Sequence, residues 1–277
     1  MDLRKFRTDP AARRWPCLLV ALLVLVVVFA PGAALAKKKK PPEQPPPDLP
    51  GRVSFLAWKL RGVHIDDSGP ITGEIQKLVV DHLEQWFAKS PEPKTDVEVR
   101  RELERIFYNL RYPTSAVPAC FDKPWKGAVL VGAGYTLGWT NYSRMNVFAL
   151  FEQGEGKTRL AAVTNFLPFV DLHYEFLPSP GEDFRFMISG TRPGKSQPRL
   201  SAVLYSFDGQ SLKSQWETHD LFDGRMEVGE DKVTIRYLKE DEYVREQAHG
   251  RKPPRHEAVY RVTTQGLDLE SDREIPF

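Results

Sequence analysis

Cysteine is scarce in this sequence, since Cys17 and Cys120 are the only two in 277 residues. Cys17 lies in an N-terminal apolar run, so Cys120 would be the only cysteine left once that run is cleaved off. Cys120 lies between Pro118 and Pro124, in a segment that we predict to be irregular. We therefore expect an unpaired thiol and neither a disulfide nor a cysteine-based zinc site. Common catalytic motifs are missing as well: the chain contains no G-x-S-x-G, P-loop, dinucleotide-binding, H-E-x-x-H or S-x-x-K motif. These absences make an enzyme the less favoured interpretation.

The chain also lacks a large excess of charge of either sign, with 39 Lys and Arg against 37 Asp and Glu. Nine of the basic and two of the acidic residues lie in residues 1–40, so residues 41–277 carry 30 basic and 35 acidic side chains. Nucleic-acid binding depends on a basic surface that displaces counterions from phosphates. Because the remaining chain is mildly acidic, we expect no nucleic-acid partner.

One long apolar run is present, near the N-terminus. Residues 1–36 combine a basic start, an apolar run from Cys17 to Ala30 and the small-residue end Ala34-Leu35-Ala36. This layout is typical of a secretory signal peptide with an A-x-A cleavage site. Residues 17–36 together are long enough to span a bilayer, so an uncleaved membrane tether is the alternative. Either interpretation predicts an exported protein that is periplasmic, secreted or anchored to the membrane.

A linker is predicted next. Residues 37–50 contain six prolines and four lysines. Such a composition cannot bury apolar surface and favours an extended, partly polyproline conformation. The lysines at 37–40 also carry charge that can contact anionic lipid.

Residues 51–126 are predicted to contain a helical hairpin. An alternating stretch over residues 53–60 indicates a strand. Apolar residues then recur at three- and four-residue spacing over residues 71–86, which indicates an amphipathic helix. A second helix begins at Thr95, where Glu98 is placed to complete a capping box, and it ends before the next proline.

From residue 127 to 277 the pattern alternates and predicts a β domain. Three similar units follow one another at about 55 residues, and Arg144 and Arg199 open equivalent strands of the first two. Pairs such as Asp208-Gly209 between alternating runs indicate tight hairpin turns, because glycine accepts the positive φ that these turns need. The predicted fold is mainly β: an antiparallel meander of about ten strands, arranged as a sandwich or a partial propeller, with the N-terminal helical hairpin.

The second unit carries a family resemblance. Its turn Phe207-Asp208-Gly209 and its Trp-ended strand Gln215-Trp216-Glu217 resemble blades of secreted bacterial β-propeller proteins with integrin-like repeats. The resemblance covers residues 128–271 and implies a propeller-type β fold. Blades of that family often carry an Asp-rich calcium loop, which has no match here, so the resemblance implies no metal or cofactor. Two and a half units are also fewer than the four to eight blades that close a propeller.

A loop over residues 135–144 is the predicted ligand-binding surface. Flat aromatic faces beside amide and guanidinium groups suit a sugar ring or a peptide, and exposed loop aromatics often mark interaction sites. The alternative is that the rings fold back over the helices and only complete the core. The candidate ligand-binding residues are Tyr135, Trp139, Asn141, Tyr142 and Arg144.

A metal site is the second candidate. Asp171, His173 and Glu175 alternate along a predicted strand, so their side chains would share one face. Oxygen and imidazole ligands at this spacing suit a divalent cation. The alternative is a solvated strand face opposite a buried one.

These observations predict an exported, non-catalytic binding or cell-envelope-associated protein that needs no cofactor. Its expected partner is a protein or another envelope component. A hydrolase or metal-dependent enzyme built on carboxylates and histidines is one alternative. A structural subunit of an envelope assembly, docked through the helical hairpin, is the other.

Overall fold

The structure is a computed structural model that describes residues 44–90, 92–140, 143–154, 156–166, 170–179, 181–192 and 198–275, with Phe166 described by its backbone alone. The predicted signal peptide and the first part of the predicted linker lie outside these residues. So do Asn141 and Tyr142 of the predicted binding loop.

In the described residues, three helices precede the sheets. They are α1 (Leu49–Lys59), α2 (Gly69–Ala88) and α3 (Asp96–Phe107), with short 3-10 turns at Leu60–Gly62 and Ile65–Asp67. The predicted capping box of α3 is confirmed: Glu98 N donates to the Thr95 hydroxyl, and the Glu98 carboxylate accepts from Thr95 N at 3.0 Å. A fourth helix, α4 (Glu240–Ala248), interrupts the sheet region and buries none of its residues, so no apolar periodicity announces it.

The strand predicted over residues 53–60 is wrong, because that segment is α1. Its buried side chains Val53, Leu56, Ala57 and Leu60 follow helical spacing. The Asp48 carboxylate caps the helix by accepting from Gly51 N at 3.1 Å. The helix thus begins inside the predicted linker, and the N-terminal layer has three helices where a hairpin was expected.

Eleven strands are found in the described part of the chain, and the mainly β, antiparallel meander is confirmed. Strands β1–β4 form one sheet and β5–β11 a second. Within each sheet, every strand pairs with the strands next to it in the sequence. Their bounds are β1 Ser115–Trp125, β2 Ala128–Gly138, β3 Arg144–Gly154, β4 Lys157–Phe166, β5 Val170–Leu177, β6 Phe184–Arg192, β7 Arg199–Phe207, β8 Leu212–Val228, β9 Lys232–Leu238, β10 Arg255–Thr263 and β11 Gly266–Ile275.

Strand β1 corrects the expectation of an irregular segment around Cys120, which lies in the middle of this strand. The strand contains Pro118 and Pro124 and pairs only with β2. Proline removes a ladder donor and is therefore tolerated on an edge strand, which is where β1 lies. The β region consequently begins at Ser115, inside the stretch that was predicted to be helical.

The four-stranded sheet is covered on both faces. On one face, buried side chains of β2 and β3 pack against all three N-terminal helices, with contacts such as Phe87 on Phe151 at 4.6 Å between ring centroids. On the other face, Phe148 packs against Phe186 of the seven-stranded sheet at 5.2 Å. The result is a helix layer and two sheet layers with two separate hydrophobic cores between them.

The seven-stranded sheet curls around a third core. Strand β11 is separated from β8 by two strands, yet a Cβ on Gly266 would lie only 2.8 Å from the carbonyl oxygen of Gln215. Arg185 of β6 is 2% exposed and donates to Thr263 O at 2.7 Å and to Gln215 Oε1 at 2.6 Å. Burial lowers the pKa of this guanidinium, and the nearby Asp183 carboxylate only partly opposes the shift. Arg185 therefore joins β6 to β8 and to the C-terminal hairpin.

Three hairpins share one pairing pattern. Each has a β-bulge between two successive residue pairs. In β3–β4 these pairs are Leu150–Ala162 and Phe151–Leu160, and in β7–β8 they are Leu204–Trp216 and Tyr205–Ser214. In β10–β11 they are Val259–Ser271 and Tyr260–Leu269. The equivalent residues are 54 and then 55 positions apart. The first two predicted units thus align with an offset of 54 residues, one residue fewer than the 55 that separate Arg144 from Arg199. This regularity supports the repeat, which stays a prediction.

Candidate functional site

Two of the five predicted ligand-binding residues are buried. Tyr135 and Trp139 are each 1% exposed and lie in the core between the four-stranded sheet and the helices. Tyr135 belongs to β2 and its ring contacts that of Phe107 on α3. The prediction of an exposed aromatic surface is therefore wrong at these two positions, and the core alternative holds there. The reason is that β2 runs to Gly138 and presents odd-numbered residues to the helices.

Of the other three positions of that loop, the structure describes Arg144. Arg144 is the first residue of β3 and is half-buried. Asn141 and Tyr142 lie outside the described residues. The three described residues therefore do not form one exposed surface, because Tyr135 and Trp139 lie in the core.

The predicted metal ligands lie on the edge strand β5. Asp171, His173 and Glu175 are exposed, while the residues between them are half-buried, as the alternation predicts. Within the described residues, no group of three or more His, Cys, Asp or Glu side chains is close enough to hold a metal ion. Asp171 also adopts a φ of 55° at a bulge, which takes it out of the regular strand geometry.

A different surface collects exposed aromatic side chains. Nine large hydrophobic side chains are exposed in the part of the chain that the structure describes, and three of them are aromatic. Trp58 lies near the end of α1 and is 42% exposed, whereas Tyr108 and Tyr112 follow α3 and are 73% and 88% exposed. Aromatic residues are enriched at the centres of interaction surfaces because they bury much area at a small cost in conformational entropy.

Hydrogen bonds join the two segments that carry these aromatics. Ser54 of α1 donates to Asn109 O at 3.0 Å, and the Thr114 hydroxyl donates to Ala57 O at 3.4 Å. Arg61 donates to Arg111 O. The end of α1 and the connector from α3 to β1 are therefore one continuous surface. We call it the aromatic–basic surface, formed by Trp58, Arg61, Tyr108, Arg111 and Tyr112.

Charge of one sign accompanies these rings. Residues 49–64 and 106–119 contain Arg52, Lys59, Arg61 and Arg111 and no Asp or Glu. The ammonium of Lys59 also lies 4.5 Å from the ring centroid of Phe55. In a domain with more acidic than basic residues, this locally cationic surface favours an anionic partner.

The surface is held by the core beneath it. Val53, Leu56 and Leu60 of α1 are at most 5% exposed and fix the helix against the sheet. Phe107, directly before Tyr108, is also buried and packs on Tyr135. Rigid support of this kind lowers the entropic cost of binding.

The sequence contained one indication of this surface. Val99, Leu103, Ile106 and Leu110 mark the apolar face of the second helical segment, and Tyr108 falls outside that face. An aromatic residue that breaks an apolar periodicity has no core position to fill. The hydrogen bonds that bring α1 beside it have no counterpart in any sequence pattern.

Comparison of the sequence with protein-family models and with curated proteins finds no match. The resemblance to integrin-like repeat proteins therefore stays a prediction. Among the described residues, none of the helices has the length and apolar character needed to cross a membrane.

Proposed function

We propose that this chain is an exported, non-catalytic protein of the cell envelope that binds anionic membranes through the aromatic–basic surface. The observation that carries the proposal is the concentration of Trp58, Tyr108 and Tyr112 on segments with four cations and no acidic residue. Trp and Tyr are the side chains that favour the boundary between water and lipid, because each has an apolar ring and a polar group.

The N-terminal sequence supports the same partner. Lys37 to Lys40 precede α1 in the chain and carry four further cationic charges. Each cation near an anionic membrane contributes about 1 kcal/mol of attraction. Charge brings the protein to the membrane, and the aromatic rings then bury apolar area at its interface.

The other functions considered for this sequence find less support. The apolar stripes of α2 and α3 are covered by the four-stranded sheet, which leaves the hairpin no apolar stripe for docking in the described residues. The carboxylates and the histidine of β5 are exposed and, among the described residues, belong to no group close enough to hold a metal ion. Neither an assembly subunit nor a metal-dependent enzyme gains an observation in its favour.

Binding to lipid vesicles tests the proposal. The chain from Lys37 onward is the suitable form, because the described hydrophobic cores use residues from Leu49 onward only. We expect it to sediment with vesicles of phosphatidylglycerol and phosphatidylcholine but not with phosphatidylcholine alone. Substitution of Tyr108→Ala together with Tyr112→Ala should weaken the partition about tenfold, a loss near 1.4 kcal/mol.

A matched control removes apolar surface elsewhere. Val244 and Leu269 are 61% and 57% exposed on α4 and β11. Val244→Ala with Leu269→Ala should leave vesicle binding unchanged. Equal binding to neutral and anionic vesicles, or equal losses in both double variants, would refute the proposal. Absence of vesicle binding, with retention on an envelope polysaccharide or protein instead, would assign the surface to that partner.

A further inference from the structure

A cavity opens at the far end of the four-stranded sheet, where two hairpin turns lie side by side. One is the β1–β2 turn between Trp125 and Ala128, and the other is the β3–β4 turn between Gly154 and Lys157. The cavity has a volume of about 490 Å³. Pockets for small molecules typically have volumes of about 300–1,000 Å³.

Small residues and tight turns make this space. Lys126 and Gly127 adopt φ values of 47° and 80°, so the first hairpin reverses within two residues. A Cβ on Gly154 would lie 3.3 Å from Cβ of Ala128, so the glycine lets the second hairpin approach the first. The tight first turn and the glycine at position 154 therefore shape this end of the sheet.

Three cations line the cavity together with one acid and one hydroxyl: Lys126, Lys157 and Arg159 beside Glu152 and Thr158. Arg159 is held in place, because it pairs with Glu152 and donates to Gly209 O at 2.6 Å. The negative charge of Glu152 is thereby offset by that of Arg159. The turn also contains Glu155, which lies outside the described residues.

The two lysines are less constrained. Lys126 contacts the 88% exposed Glu182 at 2.9 Å and lies 4.9 Å from the ring centroid of Trp125. Such an exposed ion pair contributes little and gives way readily to another anion. The Lys157 side chain forms no hydrogen bond or ion pair with any described residue, whereas its backbone pairs with Gly154. The cavity thus presents two ammonium groups that a ligand can engage.

We propose that this cavity binds a small molecule that carries a phosphate group. A phosphate has several acceptor oxygens and up to two negative charges, and Lys126, Lys157 and the Thr158 hydroxyl line the cavity as donors for it. A phosphate alone would leave most of the volume empty, which leaves room for the organic part of an ester. A monocarboxylate offers two oxygens and one charge and fits this donor set less well.

The cavity is distinct from the aromatic–basic surface. Strand β1 starts at Ser115 beside that surface and ends at Trp125 beside the cavity. At about 3.4 Å per residue, the strand separates its two ends by roughly 34 Å. Both sites can therefore be occupied together, and each can be tested by itself.

Titration with glycerol 3-phosphate, followed by calorimetry, tests the proposal on the chain from Lys37 onward. We expect saturable binding that weakens at least tenfold in Lys126→Gln with Lys157→Gln. Both lysines are exposed, so the unfolding transition of the variant should match that of the parent. Lys77→Gln with Lys232→Gln removes two exposed charges, which pair with Asp81 and Glu270, and should not change binding.

Vesicle binding by the same variants identifies the source of the phosphate. If the Lys126→Gln with Lys157→Gln variant still binds vesicles, the natural ligand of the cavity is a soluble phosphate ester. If the variant loses vesicle binding together with glycerol 3-phosphate binding, the ligand is the phosphate of a lipid headgroup. The proposal fails if glycerol 3-phosphate does not bind at about 10 mM, if acetate competes equally well, or if both double variants bind alike. Its failure leaves the proposed membrane binding untouched, because that binding depends on Tyr108 and Tyr112.

Discussion

The ring of Tyr135 on β2 packs against the ring of Phe107 on α3, with 4.9 Å between the centroids. This contact joins the four-stranded sheet to the last turn of the helix that supports Tyr108. It also buries the Tyr135 hydroxyl, which has no hydrogen-bond partner among the described residues. Burial raises the pKa of Tyr135 well above its ordinary value, so the hydroxyl stays protonated.

Tyr135→Phe should therefore not destabilise the protein. A buried polar group without a partner costs about 1–3 kcal/mol, so removal of the hydroxyl should raise the free energy of unfolding by up to about that amount. Urea denaturation of parent and variant measures the difference. Tyr174→Phe is the matched control, because the Tyr174 hydroxyl donates to Ala119 O at 2.9 Å. Its loss should cost about 1 kcal/mol, and the same sign for both variants would contradict this account.

Gly132→Ala should be strongly destabilising. A Cβ at Gly132 would lie 2.2 Å from the ring of Phe121, which packs between the two sheets against Phe148 and Phe186. The ring cannot move without displacing its neighbours, so we expect a loss of about 1–3 kcal/mol or more. Gly73→Ala on α2 is the control, because an added Cβ there would have no atom within 4 Å apart from the adjoining residues and the backbone of its own helix. Alanine should stabilise the helix there by about 0.5–1 kcal/mol. Thermal unfolding of both variants checks the opposite signs.

Sequence patterns correctly predicted those helices and strands whose pattern fits only one backbone conformation. The spacing in α2 and the capping box of α3 are of this kind, because each pattern fits one conformation. The sequence of residues 53–60 fits two conformations. Val53, Phe55 and Ala57 alternate as in a strand, while Val53, Leu56 and Leu60 follow helical spacing. The packing of α1 on the sheet decides in favour of the helix, and that packing is not visible in the segment itself.

The candidate site could not be predicted for a similar reason. Trp139 and Tyr112 are both aromatic residues in polar surroundings of the sequence, yet one is 1% and the other 88% exposed. The difference arises because β2 continues far enough to place Trp139 under the helices. The end of β2 is set by its pairing with β1 and β3, and no periodicity within the segment shows where that pairing stops.

Cys120 should be unreactive in the folded protein. It is 7% exposed, and burial raises the pKa of its thiol to about 12. At neutral pH the thiolate, which is the reactive form, is therefore scarce. In the chain from Lys37 onward, which lacks Cys17, a thiol reagent such as DTNB should react only as fast as the protein opens. Full reaction is expected in about 6 M guanidinium chloride, well above the midpoint of ordinary domains. Rapid reaction without denaturant would show that Cys120 is accessible.

Glu102 of α3 should make the protein sensitive to acid. Its carboxylate accepts from Arg105 Nη2 at 2.6 Å and also contacts His82 of α2, and its side chain is 12% exposed. The hydrogen bonds from Arg105 are the main reason that its pKa lies below the ordinary value. The folded state thus binds this proton less readily than the unfolded chain. The resulting stabilisation is complete above the unfolded pKa, near 4.3, and disappears as the pH falls through the lower folded value.

Glu102→Gln should therefore lower the free energy of unfolding by about 1–3 kcal/mol at pH 7. The gap between parent and variant should narrow below about pH 4, because the parent then loses the same charge. Urea denaturation at a series of pH values measures this gap. Glu104→Gln removes an exposed carboxylate from the same helix and should change stability little at any pH. A constant gap for Glu102→Gln across the acid range would mean that side-chain packing, and not the charge on Glu102, holds α2 against α3.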